Sequence, residues 1–447
     1  MRFIPHTAAD IAQMLAALDV ERLDDLVAHV PAALRAQAAI RLDRGLGERE
    51  VSAAMRALAQ RNAPATELIS FLGGGCYRHY IPAAVRAITA RAEFATSYTP
   101  YQPEASQGTT QAIFEFQTLI TQLTGLEVAN ASMYDGASAA AEAVLMARRI
   151  LPKRHRVVVS RALWPDYRAT IATYLSAQQD LEIVELPLDL ATGSTSCEAL
   201  GKLADQHLLC AVVGYPNAFG VIESLGHMTQ VAHEAGALLI AVTAEPLAFG
   251  LLKSPGELGA DIAVGEGQSF GIAPQFGGPG VGFMAARMVH VRSMPGRLVG
   301  ETRDRQGRRA FCLTLAAREQ HIRRERATSN ICTNHSLNAL AATVYLALMG
   351  RSGLRRMAAR NVDLAHQAAA KLAAVGISPR FSGAFFNEFV ARVPDPHRAL
   401  ERAIARGVLA GLTLERDYPE LADGLLIAVT EVNEPQSLDL LAEALRA

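Results

Sequence analysis

Residues 259–284 combine a glycine-rich turn with two apolar runs, a pattern with which many α/β enzymes anchor a cofactor. The stretch reads GADIAVGEGQSFGIAPQFGGPGVGFM and predicts a strand, a loop and a second strand. It contains no lysine, histidine or cysteine, and its only acids are Asp261 and Glu266. The loop therefore has the backbone pattern of a cofactor anchor without a side chain that could attach one.

Lysine is rare in this chain, so each candidate for a covalent cofactor bond can be considered individually. The lysines are Lys153, Lys202, Lys253 and Lys371. We expect all four to be solvated surface residues. Lys253, in LLKSPGE, is the only one on a loop of the predicted cofactor-bearing sheet, which makes it the alternative point of attachment.

The segment YDGASAAAEA, residues 134–143, predicts a helix that begins with small residues. Backbone N–H groups at such a helix start can hold a phosphate. Asp135 precedes the helix, however, and a carboxylate there satisfies the same N–H groups and repels a phosphate. The sequence therefore favours a self-capped helix over a working phosphate site.

The segment RATSNICTN carries a run of small polar residues, Thr328, Ser329 and Asn330. Taken alone, this run fits a cap and turn before a helix that starts near His335. Several arginines lie just ahead of this run. They could attract a carboxylate or the acidic surface of a carrier protein, but arginine runs more often form a solvated face or internal ion pairs. These are Arg318, Arg323, Arg324 and Arg326.

The segment SYTPYQPE holds two tyrosines on a loop that its prolines keep extended. Pro100 and Pro103 restrict the backbone, and Tyr98 and Tyr101 lie beside them. The two phenols either face a small substrate or a channel, or they pack under the loop. The residues alone favour neither alternative.

The elements that must position these residues alternate between short apolar runs and helices from residue 71 to 335. The runs RVVVS, LEIVEL, LLCAVVG, ALLIAVT, DIAVGE and VGFMAA read as strands. Most are separated by helices of about ten or more residues, which is typical of βαβ units. We therefore predict a large α/β domain with a mainly parallel sheet.

The flanking regions have different patterns. Residues 1–70 predict a helical arm with a capping box at Thr7, which forms either a small domain or a contact with a partner subunit. Residues 336–447 predict two helices that end near Gly350 and Gly376, followed by strands and a terminal helix. This last region reads as a small α+β domain.

Composition excludes several classes of protein. The chain has 447 residues and a formal net charge of −1, which indicates neither nucleic-acid binding nor attraction to a membrane surface. The N-terminal MRFIPHTAADIAQML lacks the apolar stretch of a secretory signal, and no run approaches the roughly 18 apolar residues that span a bilayer. The five scattered cysteines indicate a reducing cytoplasm rather than a disulfide framework or a zinc site.

Four long strings resemble the glycine dehydrogenase (decarboxylating) family, the P-protein of the glycine cleavage system. They are FLGGGCYRHYIP (71–82), SYTPYQPEASQGTTQAIFEFQT (97–118), ANASMYDGASAAAEA (129–143) and REQHIRRERATSNICTN (318–334). The resemblance continues to LLIAVTEVNEP and so covers essentially the whole chain. It is closest to the α subunit (subunit 1) of the split, two-chain form.

The resemblance implies a fold and a function. The fold is that of the pyridoxal-phosphate-dependent transferases of fold type I, which are aspartate-aminotransferase-like, with a seven-strand sheet. A β subunit (subunit 2) carries the pyridoxal phosphate covalently, and the two chains assemble as (αβ)₂ in the cytoplasm. The complex decarboxylates glycine and transfers the aminomethyl group to the lipoyl group of H-protein.

The resemblance also implies that this chain contributes no catalytic residue. A pyridoxal enzyme needs a lysine that holds the cofactor and an acid beside the pyridine nitrogen. The family's His-Lys pair corresponds here to Gln268 and Ser269. The aspartate position falls near Val242, and the nearest acid is Glu245. No metal is implied.

What this chain supplies, by the same resemblance, is half of an interface site. Thr328 donates a hydroxyl or backbone N–H to the phosphate of the cofactor on the β subunit, and Ser329 and Asn330 position the loop. Tyr98 and Tyr101 contribute to the substrate or interface wall. Two alternatives remain open: a free-standing pyridoxal enzyme that uses Lys253, and a purely structural or regulatory subunit.

Overall fold

A computed structural model of the protein describes residues 5–38, 42–64, 67–331 and 333–446. The chain divides into two units, residues 1–64 and residues 65–447. The first unit contains the helices α1 (Ala8–Ala17), α2 (Ala32–Gln37) and α3 (Glu48–Ala59). The predicted capping box is present, because Thr7 Oγ1 accepts from the N–H of Asp10 and the Asp10 carboxylate accepts from the N–H of Thr7.

The second unit holds all the strands of the described chain. They are β1 (Ile69–Ser70), β2 (Val128–Ala129), β3 (Arg156–Ser160), β4 (Glu182–Leu186), β5 (Leu208–Gly214), β6 (Leu238–Thr243), β7 (Ile262–Glu266), β8 (Gly282–Ala286), β9 (Leu298–Arg303), β10 (Arg309–Thr314), β11 (Glu388–Arg392), β12 (Val408–Leu409), β13 (Leu412–Thr413) and β14 (Gly424–Ala428). Its α-helices are α4 (Ala83–Thr89), α5 (Ala92–Ala95), α6 (Gln107–Thr124), α7 (Gly136–Ile150), α8 (Pro165–Leu175), α9 (Cys197–Leu203), α10 (Leu225–Glu234), α11 (Gln320–Arg323), α12 (Ser336–Ala374), α13 (Pro396–Ile404) and α14 (Pro435–Leu445).

The large sheet has seven strands in the order β2-β8-β7-β6-β5-β3-β4. Strands β3 to β7 pair in parallel, whereas β8 and β2 are antiparallel to their neighbours. Every residue of β5, β6 and β7 is buried, as expected for parallel strands covered by helices on both faces. The predicted mainly parallel α/β sheet is confirmed.

The helices end where the sequence indicates. Helix α6 stops at Gly125, whose φ of +68° suits a residue without a Cβ. Within α12 the backbone leaves the helical region at Gly350, with φ 55° and ψ 179°, so the segment consists of the two predicted helices. The β9–β10 hairpin was not predicted; its strands, LVGETR and RAFCLT, mix apolar residues with charged and polar ones.

A second, three-stranded antiparallel sheet, β11-β14-β13, follows α12. Residues 69–80 run between the two sheets, and we call them the crossing segment. At one end β1 pairs with β12, and Phe71 O accepts from the N–H of Ala428 at 3.0 Å. At the other end Tyr77 hydrogen-bonds Gln268, just after β7 of the large sheet. The segment therefore connects the small sheet to the carboxyl edge of the large one.

Candidate functional site

The carboxyl edge of the large sheet is where α/β folds of this kind place their ligands. Helix α7 begins there, next to an isolated bridge between Met133 and Gly282. Its first amides already have acceptors within the chain. The N–H of Ser138 donates to Asp135 Oδ1 at 2.7 Å, and the N–H of Gly136 donates to Glu266 Oε2 at 3.0 Å. The predicted self-capping by Asp135 is present, and Glu266 adds a second carboxylate.

Glu266 is a buried carboxyl group that helps to close this edge. Its Oε1 accepts from the N–H of Val281 at 2.7 Å, while Oε2 accepts from α7. Burial raises the pKa of Glu266, and these backbone hydrogen bonds oppose the rise. Glu266 thus ties the end of β7 to the start of β8 and to α7.

Aromatic side chains fill the space in front of α7. Trp164 and Tyr167 are 2% and 4% exposed, respectively. A Cβ added to Gly136 would lie 2.1 Å from the Tyr167 hydroxyl and 2.8 Å from the Glu266 nitrogen, so only glycine fits there. The helix start is therefore capped by carboxylates and crowded by aromatic rings.

Gln268 and Ser269, the positions predicted to correspond to the family's His-Lys pair, are both buried. Gln268 Oε1 accepts from the N–H of Tyr77 at 2.9 Å, and Gln268 Nε2 donates to Tyr77 O at 3.0 Å. Nε2 also donates to Ile272 O. Ser269 is 1% exposed, and its Oγ has no hydrogen-bond partner in the described part of the chain. Gln268 therefore holds the crossing segment over the carboxyl edge.

A buried charge cluster lies further along the crossing segment, at His79. His79 Nε2 is 2.8 Å from Glu245 Oε2, and Nδ1 is 2.9 Å from Glu431 Oε2. Burial alone lowers the pKa of His79, but Glu245 and Glu431 raise it to about 10. His79 is thus an imidazolium that links the end of β6 to the residues after β14.

A second buried carboxyl group holds the same segment from the small sheet. Glu388, in β11, accepts from the N–H of Gly74 at 2.7 Å and from the Tyr77 hydroxyl at 2.9 Å. Burial raises the pKa of Glu388 to about 7, although these two hydrogen bonds oppose the rise. The crossing segment is thereby bound to both sheets through buried polar groups.

These residues do not fit pyridoxal phosphate. Its phosphate would meet Asp135 and Glu266 at the helix start instead of free N–H groups. The position expected to face the pyridine nitrogen, near Val242, lies in a fully buried apolar strand, and Glu245 is engaged by His79. Ser269 offers no amine. The carboxyl edge of this chain is a closed structural element.

The lysines lie away from this edge. Lys153, Lys202 and Lys253 are exposed, and Lys371 forms an ion pair with Asp439. Lys253 follows the 3-10 helix Pro246–Gly250 and lines an open groove with Leu119, Leu123 and Arg351. None of the carboxyl-edge residues described above lines that groove.

The loop that carries Thr328 is anchored to helix α7 by a side-chain hydrogen bond. The N–H of Thr328 donates to Arg318 O at 3.1 Å, and the Thr328 hydroxyl has no partner among the described residues. Ser329 Oγ donates to Glu142 Oε1 at 2.7 Å and accepts from the N–H of Ile331. Asn330 is exposed. The run therefore forms a local turn anchored on α7, and the cap position of α12 is His335 instead.

In the loop SYTPYQPE, Tyr101 contacts the segment that precedes Thr328. The Tyr101 hydroxyl accepts from Arg297 Nη2 at 3.1 Å, and the Tyr101 ring lies edge-on to His321 with centroids 5.7 Å apart. Tyr98 is 72% exposed. The structure thus brings Tyr101 to the segment that precedes Thr328, and the exposed Arg323, Arg324 and Arg326 lie in that segment.

Sequence reasoning missed three features of the closed edge: the two carboxylate partners of His79, the tie from Gln268 to Tyr77, and the aromatic filling by Trp164 and Tyr167. The only signal for the first two was the string FLGGGCYRHY, which had no chemical interpretation of its own. The partners of this string lie far away in sequence, so local patterns could not identify them.

A family model described as "Glycine cleavage system P-protein" matches residues 1–445 of the chain. The chain belongs to this family. A P-protein relative from Moorella thermoacetica, named "Probable glycine dehydrogenase (decarboxylating) subunit 1", is 51% identical over 100% of this chain and 99% of that protein. A relative of the same name from Geobacillus kaustophilus is 47% identical over 98% of this chain and 97% of its own length.

Solved structures agree with the family and with the predicted fold class. A crystal structure of glycine decarboxylase (P-protein) in an inhibitor-bound form has a TM-score of 0.91 and 45% identity, covering 100% of this chain and 99% of that one. A sphingosine-1-phosphate lyase from Burkholderia pseudomallei, at 16% identity over 91% of each chain and a TM-score of 0.66, shares the fold alone. The fold is that of the pyridoxal-phosphate-dependent enzymes of fold type I, as predicted.

The described residues lack two kinds of feature, a membrane-crossing helix and a metal-binding cluster. None of their helices is long and apolar enough to cross a bilayer. They also contain no group of three or more His, Cys, Asp or Glu side chains arranged to hold a metal ion.

Proposed function

We propose that this P-protein chain is the α subunit (subunit 1) of a heteromeric glycine decarboxylase and that it completes an active site without holding the cofactor. In this proposal a β subunit (subunit 2) carries pyridoxal phosphate covalently, and the pair assembles as (αβ)₂ in the cytoplasm. The complex decarboxylates glycine and passes the aminomethyl group to the lipoyl group of H-protein. The cofactor, when bound to the partner, supplies the electron sink for decarboxylation.

The observation that carries the proposal is the closed carboxyl edge. The positions where a cofactor would be attached are Gln268 and Ser269, one tied to the crossing segment and the other fully buried. The helix start that would bind a phosphate is capped by Asp135 and Glu266. A chain built in this way keeps the fold for assembly, while the chemistry takes place in the partner.

The Thr328 loop supports the second part of the proposal. Its backbone is fixed by Ser329 on Glu142, so the Thr328 hydroxyl is presented on an anchored turn with no partner among the described residues. A free hydroxyl on a fixed loop suits a contact with the phosphate of a cofactor on the partner subunit. Asn330, next to Thr328, and Tyr98, on the tyrosine loop, are both exposed and suit an interface wall.

The direct test is where the cofactor becomes covalently attached. The purified chain is incubated with pyridoxal phosphate, reduced with borohydride and weighed by intact-mass spectrometry, with and without the β subunit. We expect an adduct on the β subunit and none on this chain. A stoichiometric adduct on this chain alone, mapped to Lys253 or another lysine, would overturn the proposal and make the chain an enzyme in its own right.

Replacing Thr328 by alanine is expected to weaken the affinity of the αβ pair for pyridoxal phosphate by about 1–3 kcal/mol, the range for a hydrogen bond to a charged group. Cofactor dissociation from the assembled pair is followed by absorbance. Thr302→Ala, at an exposed position on β9, is the matched control and should leave the affinity unchanged. If both variants retain wild-type affinity, the chain is a structural or regulatory subunit whose Thr328 never reaches the partner's cofactor.

A further inference from the structure

Two arginines from different elements converge on the turn between residues 293 and 296. Arg149, near the end of α7, donates from Nε and Nη2 to Ser293 O at 3.2 and 3.0 Å. Arg318, at the end of the 3-10 helix Ala316–Arg318, donates from Nη2 to Gly296 O at 2.8 Å. The two guanidinium groups are therefore held on carbonyls only three residues apart.

Arg318 has donors that nothing in the described chain satisfies. Its Nε and Nη1 are buried, and neither has a hydrogen-bond partner among the described residues. Buried donors in folded proteins are nearly always paired, and an unpaired donor on a charged group is especially unfavourable. An acceptor from outside the chain would remove this penalty.

Two carboxyl groups act on this positive charge at longer range: Glu142 on Arg149 and Glu319 on Arg318. Within the described chain, neither Arg149 nor Arg318 forms an ion pair with an acid. Burial lowers the pKa of Arg149 to about 10; Glu142 opposes this shift, and the charge of Arg318 adds to it. Burial raises the pKa of Glu142, whose Oε1 is already used by Ser329. The site thus contains two neighbouring cations that are held on carbonyl groups, with the buried Glu142 carboxyl group beside Arg149.

We propose that Arg149 and Arg318 form a binding site for an oxyanion, either a phosphate or a carboxylate group. Guanidinium groups are the usual partners of both groups, and the unpaired Nε and Nη1 atoms of Arg318, which carry three N–H donors, suit anionic oxygens. The site consists of residues of this chain alone, and only its effect on the Thr328 loop rests on the proposed function.

The site is also coupled to the Thr328 loop. The N–H of Thr328 donates to the carbonyl of Arg318, and Ser329 bonds Glu142 beside Arg149. An anion on the two arginines would therefore fix the backbone from which Thr328 projects. Occupancy of the site stiffens the loop that we propose to reach the partner subunit.

The test uses the full-length chain with inorganic phosphate and with formate as probes, by isothermal titration calorimetry at constant ionic strength. We expect one equivalent of at least one probe to bind. The probe that binds more tightly assigns the group as phosphate or carboxylate. Arg318→Gln should weaken binding at least tenfold, whereas Arg323→Gln, which removes the same charge from an exposed neighbour, should change it less than twofold.

Two further measurements keep the result interpretable. Arg318→Lys retains the positive charge but removes the planar guanidinium group. We expect this variant to fold, as checked by circular dichroism, and to bind the probe several-fold more weakly than the wild type does. Adding the β subunit identifies the source of the anion. If the β subunit displaces the probe, the natural anion is a group of the partner; if the probe stays bound, the natural anion is a free molecule. The proposal is wrong if neither probe saturates the wild type, or if Arg323→Gln weakens binding as much as Arg318→Gln does.

Discussion

Replacing His79 by alanine is expected to lower the free energy of unfolding by about 3–5 kcal/mol, the range for breaking a buried ion pair by removing one partner. The substitution leaves Glu245 and Glu431 buried without the imidazolium between them. It also opens a cavity in a segment that holds the two sheets together. Urea denaturation followed by circular dichroism measures the change.

A matched control and a rescue separate charge from packing. His397→Ala removes an exposed histidine that pairs with Glu415. We expect this substitution to lower the free energy of unfolding by at most about 1 kcal/mol, as is usual for surface ion pairs. In a Glu245→Gln, Glu431→Gln background, His79→Ala should be markedly less destabilising, because no unpaired charge remains. An effect of His79→Ala that is as small as that of the control would show that the cluster is not charged.

The free energy of unfolding should also fall as the pH rises above neutrality. The pKa of His79 is raised from 6.5 to about 10 in the folded state, so the folded chain holds its proton more tightly than the unfolded chain. The stabilisation of the folded chain by protonated His79 is therefore complete below pH 6.5 and is lost as the pH rises towards 10. Between pH 7 and 9 the loss is expected to be about 2–3 kcal/mol, an upper value from the shift.

Denaturation curves at several pH values test this slope. The pKa of Glu388 is raised to about 7, so it also lowers stability as the pH rises, but only between 4.5 and about 7. Glu388→Gln should remove the acidic part of the slope and leave the part above neutrality. His79→Ala should remove the alkaline part. A wild-type stability that stays flat or increases from pH 7 to 9 would contradict the assignment of His79 as the charged member.

The parts of the fold that local patterns specify were predictable. The parallel strands were recognised because β5, β6 and β7 are buried on both faces and so form continuous apolar runs. The cap at Asp135 was recognised because a helix start needs acceptors within a few residues. In both cases the decisive signal lies within a few neighbouring residues of the sequence.

The parts that depend on distant partners were not predictable. Tyr77 meets Gln268 across 191 positions, and His79 meets Glu431 across 352. Gln268, predicted to stand at the family's histidine position, looks like simple loss in the sequence, whereas in the structure it bonds the backbone of Tyr77 and Ile272. The unpaired donors of Arg318 were equally hidden, because an arginine-rich run is usually solvated.

The attachment of the crossing segment to both sheets has a consequence for motion. Separating the small sheet from the large one would pull Glu431 and Glu388 away from His79 and Tyr77. Within residues 67–331 and 333–446, the two sheets are therefore expected to move together, so opening of the carboxyl edge first requires these buried contacts to break.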